Sequence, residues 1–137
     1  MADWVLQPFE SLGPLRIGAS RSDVGNALGE DSREFAKGDS ANLVEAYNGA
    51  GVHAYYDGAG RLEFVEVFDP CRPVYAGVQL LGVDVASVVA RMRDLGLTAR
   101  EDGEGGVWFD DHGFALYAPA EVSEGVSVFG RGYDAGV

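Results

Sequence analysis

LVEAYNGAGVHAYYDGAGRLEFVEVF, residues 43–68, is three strand-like runs punctuated by two turns. Leu43 to Tyr47, Val52 to Tyr56 and Arg61 to Phe68 are short and rich in β-branched and aromatic residues. Gly, Asn and Asp bound them, which is how antiparallel strands read. Asn48-Gly49 is a strong hairpin signal, because both residues tolerate a positive φ. Asp57-Gly58-Ala59-Gly60 is a turn of the same kind. The stretch predicts a β-meander.

On its N-terminal side, Glu30 to Ala41 is polar and reads as a loop. Before it lies a short helix. Ser20 is its N-cap, with Asp23 at the capping-box position. Val24, Ala27 and Leu28 form its apolar face, and Gly29 ends it. Gly25 inside the helix makes it weak. Trp4 to Leu12, closed by Gly13-Pro14, reads as an extended lead-in whose Trp4 and Phe9 pack on the main body.

On the C-terminal side, Asp69-Pro70-Cys71-Arg72-Pro73 denies both helix and central strand, because two prolines stand so close. It reads as a linker. A second helix follows, capped by Asp84, with Val85, Val88, Val89, Met92 and Leu95 on one face and Gly96 at its end. Glu101 to Gly105 is a polar loop. Val107 to Phe109, Phe114 to Tyr117 and Val126 to Phe129 are three further strands.

The order of elements thus repeats. At an offset of ~64 residues, Ile17-Gly18 meets Leu81-Gly82, Ser20 meets Asp84, and Val24 meets Val88. At an offset of ~62, Tyr47 meets Phe109, Val52 meets Phe114, and Tyr55 meets Tyr117. The expectation is one α+β domain over residues 1–137 with repeat units at 15–69 and 78–131. Each unit would be a helix plus a β-meander. The two would form one antiparallel sheet with helices on one face. The alternative is a single α+β domain with two similar-looking hairpins.

Leu15-x-Ile17-Gly18-Ala19-Ser20-x-x-x-Val24-x-x-x-Leu28-Gly29, followed by Tyr47 and Tyr55-Tyr56-Asp57-x-x-Gly60-x-Leu62, resembles the small-lipoprotein family of the outer-membrane β-barrel assembly machinery. Two such units in tandem resemble the β-lactamase inhibitor protein family, and that resemblance implies its fold over roughly residues 15 to 130. The chain carries no cysteine near its start for a lipid, and its single cysteine, Cys71, allows no intramolecular disulfide.

Composition narrows the function. Of the 137 residues, 47% are hydrophobic and 23% charged, which suits a globular protein rather than a disordered one. The net charge of −12 opposes binding to nucleic acid or anionic membranes and suits a basic partner or simple solubility. No basic region followed by an apolar stretch opens the chain, and no apolar run approaches the ~20 residues that span a bilayer. A cytoplasmic location is expected.

The candidate chemistry is thin. His53 lies four residues before Asp57, but one is mid-strand and the other opens a turn. Asp110-Asp111-His112 could ligate a metal, yet it falls where a hairpin turn is required and Asp is a favoured turn residue. Cys71 has no base near it in sequence and reads as an inert thiol. Gly103-Glu104-Gly105-Gly106 lacks the lysine and hydroxyl of a phosphate loop. Asp57-Gly58-Ala59-Gly60 is too short for a calcium loop. No cofactor and no metal are expected.

The strands also imply an exposed face. Val52, Ala54, Phe114 and Leu116 are apolar at matching positions, so their face packs inward. The opposite face then carries His53, Tyr55 and Tyr117, joined by Trp108. Tyr and Trp on an open sheet are typical interface anchors. Glu63 could add acidity there. Unless the N-terminal segment or a second copy covers it, this face is a partner-binding surface. The expected function is a non-catalytic protein-binding module, of the inhibitor or toxin-immunity type. A small-ligand binder with an aromatic cleft between the units is the alternative, and an enzyme is the least expected.

Overall fold

Burial alternates along Val52–Tyr56: Val52, Ala54 and Tyr56 are buried, while His53 and Tyr55 are partly exposed. That alternation is the local rule from which the main sheet is built. In the computed structural model, which describes residues 3–36 and 43–133, the chain begins with three short strands. These are β1 (Trp4–Gln7), β2 (Ser11–Leu12) and β3 (Leu15–Arg16). Helix α1 (Arg21–Leu28) follows, then β4 (Arg33–Ala36), β5 (Leu43–Tyr47), β6 (Val52–Tyr56) and β7 (Leu62–Val67). Next come β8 (Pro73–Tyr75), β9 (Val78–Gln79), helix α2 (Val85–Asp94), β10 (Arg100–Glu101) and β11 (Gly106–Phe109). A 3-10 turn at Asp110–His112 leads to β12 (Phe114–Tyr117) and β13 (Gly125–Phe129).

These strands make two sheets. The larger has eight strands in the order β10-β11-β12-β13-β7-β6-β5-β4, and the smaller has five in the order β3-β2-β1-β8-β9. All neighbours in the larger sheet are antiparallel. In the smaller, β1 and β8 are parallel and the other pairs antiparallel.

The architecture corrects the α+β expectation. The protein is mostly β, with two short helices, and it is not two tandem helix-plus-meander units in one sheet. The segment read as a lead-in holds β1 and β2, the one read as a linker ends on Pro73 at the start of β8, and β3 and β9 complete the second sheet. Runs of two to four residues are too short to show a period of two, so the sequence gives them no strand signal. Local hairpins pair β1 with β2, β2 with β3 and β8 with β9, and distant chain joins the two groups: Trp4 N–H donates to the Arg72 carbonyl at 2.8 Å. Pro73 does not forbid this, because it is the first residue of β8, where a missing N–H is tolerated. The polar stretch read as a loop from Glu30 also contains a strand, β4, at the sheet edge; its residues 37–41 lie outside the described part.

The helix caps are where local chemistry puts them. Ser20 Oγ accepts from the Asp23 amide, and Gly29 closes α1 in the left-handed conformation. Asp84 accepts from the Ser87 amide, and Gly96 follows the end of α2 with φ +90°. The Asn48-Gly49 turn joins β5 to β6 as the expected hairpin, but its positive φ lies elsewhere. Tyr47 pairs with Val52, so the loop is four residues long, and Gly51, not Gly49, holds the positive φ. The Glu30 carboxylate accepts from the Gly49 and Ala50 amides and shapes this loop.

One core joins the inner face of the large sheet to everything packed on it. Val52, Ala54, Val65, Phe114, Leu116 and Val128 meet Leu6, Leu12 and Leu15 of the small sheet and Val24, Val88 and Met92 of the helices. Among the described residues no helix is long and apolar enough to cross a membrane.

Candidate binding face

The outer face of the large sheet is ordered by register. Residues directly opposite one another share a face. Arg100, Trp108, Ala115, Ser127, Glu66, His53, Ala46 and Arg33 form one row across all eight strands. A neighbouring row runs Phe129, Phe64, Tyr55, Val44. Tyr117 stands beside them, opposite Gly125 and Gly106.

Side-chain size along these rows makes a hollow. Ala115 and Ser127 are small, and the rings around them are large. The result is an open cavity of about 290 Å³ walled by Tyr55, Phe64, Trp108, Tyr117 and Tyr133. The carboxylates of Glu66 and Asp102 complete its rim. Phe64 and Ala115 of the lining are buried in one cluster with Phe129, and Tyr55, Trp108 and Tyr133 pack against it. Tyr133 reaches back over the sheet to lie 5.0 Å from the Phe64 ring and 5.5 Å from the Phe129 ring.

Polar contacts hold the rings in place. Trp108 Nε1–H donates to Asp102 Oδ2 at 3.0 Å. The other Asp102 oxygen accepts from the amides of Glu104 and Gly106. The bond from Trp108 and the one from Glu104 lower the Asp102 pKa, so this carboxylate stays ionised. Amides of the glycine-rich loop are thereby spent on a side chain of the protein itself. Arg100 lies over the Trp108 ring, 5.5 Å from its centre, and forks onto Asp110 at 2.6 and 3.0 Å. Tyr55 Oη donates to Glu66 Oε1 across a long 3.5 Å. Burial, and then the Glu66 charge, push the Tyr55 hydroxyl up to about 12, so it is a neutral donor at any physiological pH.

Of the residues singled out from sequence, Tyr55, Trp108 and Tyr117 line this one hollow. His53 shares the face but lies outside the lining, with its ring edge-on to Phe68 at 4.9 Å. Burial lowers its pKa. Glu63 is not part of the hollow. A register shift between Tyr55 and Tyr56 leaves it unpaired at a bulge, and it lines a different cavity with Asp57 and Arg61. Glu66, Asp102, Phe64, Phe129 and Tyr133 were not singled out. Glu66 was accessible to alternation, being two residues from Phe64, but a carboxylate on an outer face carries no signal by itself. Tyr133 and Asp102 lie outside the strands, where alternation assigns no face.

The other candidates resolve into structure. Asp57 Oδ1 accepts from the Ala59 and Arg61 amides and builds its own turn. Asp110–His112 is a 3-10 turn, closed by Gly113 at φ +70°, and not a simple hairpin turn. Among the described residues no three metal-ligating side chains converge. Cys71 is 6% exposed, and burial pushes its thiol up to about 12. On the inner face, by contrast, Glu45 is 5% exposed and accepts from Tyr56, Tyr47, Ser32 and Arg21.

Compared with known proteins, the chain matches no family model, no curated protein and no solved structure.

Proposed function

We propose that this protein is a non-catalytic protein-binding module of the inhibitor or immunity type, acting in the cytoplasm, whose basic partner docks on the outer face of the eight-stranded sheet. One observation carries the reading. Three aromatic residues from three different strands, Tyr55, Trp108 and Tyr117, converge on one open hollow, and Tyr117 is 42% exposed. Rigid aromatic side chains that are accessible yet pre-positioned are the residues on which interfaces concentrate their energy. The net charge of −12 supports a basic partner through complementarity and faster encounter.

The test has two parts. A basic protein is first captured from cytosol with the full chain as bait. Hydrogen exchange of the complex is then compared with that of the free chain. Docking as proposed protects β6, β7, β11 and β12 and leaves α1 and α2 unchanged. Trp108→Ala should weaken capture by about 30-fold or more, the loss expected of a central aromatic anchor. A footprint confined to the helices or the small sheet rejects the reading.

A further inference from the structure

The chemistry of the hollow says what the partner inserts. We infer that it receives one cationic side chain, a lysine or arginine of the docked protein. The inference rests on the docking reading above and names the recognised group.

Aromatic rings and two carboxylates, those of Glu66 and Asp102, line the hollow together, and no basic residue is among the described lining residues. A ring face is negative, so rings and carboxylates together favour a positive group and repel an anion. A neutral apolar group fits less well, because it offers nothing to the negative charge of these carboxylates. The protein already uses this contact nearby. Arg100 lies 5.5 Å from the Trp108 ring centre, and Arg131 lies 4.3 Å from that of Phe9. Arg100 is itself forked onto Asp110 and lies outside the hollow, so it does not fill the site.

Pockets for small molecules run from about 300 to 1,000 Å³. This one, at about 290 Å³ and open to solvent, lies at the bottom of that range. It suits the end of one long side chain whose remaining affinity comes from the surface around it.

The test uses the full chain and defined probes. Peptides Gly-Arg-Gly and Gly-Lys-Gly with blocked ends are titrated against the Trp108 indole N–H signal by NMR. The citrulline peptide serves as the neutral twin of arginine, and tetramethylammonium as a free cation. Trp4 packs against Gly13 in the small sheet, so its indole signal reports that the fold is intact. The expected result is a Trp108 shift with at least one basic peptide, at roughly millimolar affinity, weakened by salt. The citrulline peptide gives no shift, and Glu66→Gln weakens the basic peptide by about ten-fold with the Trp4 signal unmoved. Equal shifts with citrulline and arginine overturn the inference, because the hollow is then merely apolar. Tetramethylammonium binding with neither peptide overturns it in favour of a small free cation. No shift with any probe overturns it as well. In each of these cases a hydrogen-exchange footprint on the sheet still upholds the docking reading. A footprint elsewhere, with peptide binding retained, rejects docking and with it the partner as the source of the cation.

Discussion

Glu45 shows how one residue can escape the rule that charge faces water. Its Oε1 accepts from Tyr56 at 2.6 Å and Tyr47 at 3.2 Å, and its Oε2 accepts from Ser32 at 3.1 Å and Arg21 at 3.2 Å. Burial raises its pKa, but the bonds from Tyr56, Arg21 and Ser32 outweigh burial and the net shift is downward. Replacing it with alanine leaves two buried hydroxyls without their acceptor. Glu45→Ala should therefore cost about 3 kcal/mol in urea unfolding. The pH dependence has a definite sign. A carboxylate with a depressed folded pKa stabilises the fold above its unfolded value of 4.5, and that stability is lost as pH falls through the lower folded value. The wild-type melting temperature should drop more steeply below pH 4.5 than that of Glu45→Gln. Cys71 gives a second prediction at this scale. With its thiol pushed up to about 12 and almost no exposure, it should not react with a maleimide at pH 8 until urea unfolds the chain. Rapid labelling of the folded protein would contradict this burial.

At the scale of elements, local chemistry placed the helix ends and the central strands. Ser20 and Asp84 read as caps because their side chains meet free amides within their own first turn. The hairpin between β5 and β6 is legible in Asn48-Gly49, but the place of its positive φ is not. The choice fell to contacts outside the hairpin: Glu30 takes the Gly49 and Ala50 amides, and Phe68 N–H donates to the Gly51 carbonyl at 2.8 Å. Gly51 has φ +71°, and an added Cβ would lie 2.5 Å from the Phe68 carbonyl oxygen. Gly51→Ala should cost about 2 kcal/mol or more. Gly58 has no positive φ and open space around it, so Gly58→Ala should change stability by less than about 0.5 kcal/mol. Chemical denaturation of the two variants side by side checks the contrast.

Over the whole molecule, the small sheet is the feature that alternation could not reveal. Leu6, Leu12 and Leu15 are each 2% exposed or less and belong to the common core. If Trp4 to Leu12 were a mere lead-in, removal of residues 1–16 would matter little. In this fold their removal takes away β1, β2 and β3 and uncovers Leu80 and its neighbours. Deletion of 1–16 should abolish the cooperative melting transition seen by circular dichroism. A truncated chain that melts sharply within a few degrees of the full one would show the small sheet to be dispensable.

Period-two alternation is a property of the chain alone, and it told which way Val52, Ala54, Phe114 and Leu116 point and hence where Tyr55, Trp108 and Tyr117 emerge. It could do so because successive side chains on a strand take opposite faces whatever the strand pairs with. Tertiary structure alone decided the rest. The parallel β1–β8 pair joins residues almost seventy positions apart, the bulge leaves Glu63 unpaired and lining a different cavity, and Tyr133 folds back onto Phe64. None of these has a local signature, because backbone hydrogen bonds and ring contacts between distant segments depend on which partner the finished core leaves unpaired.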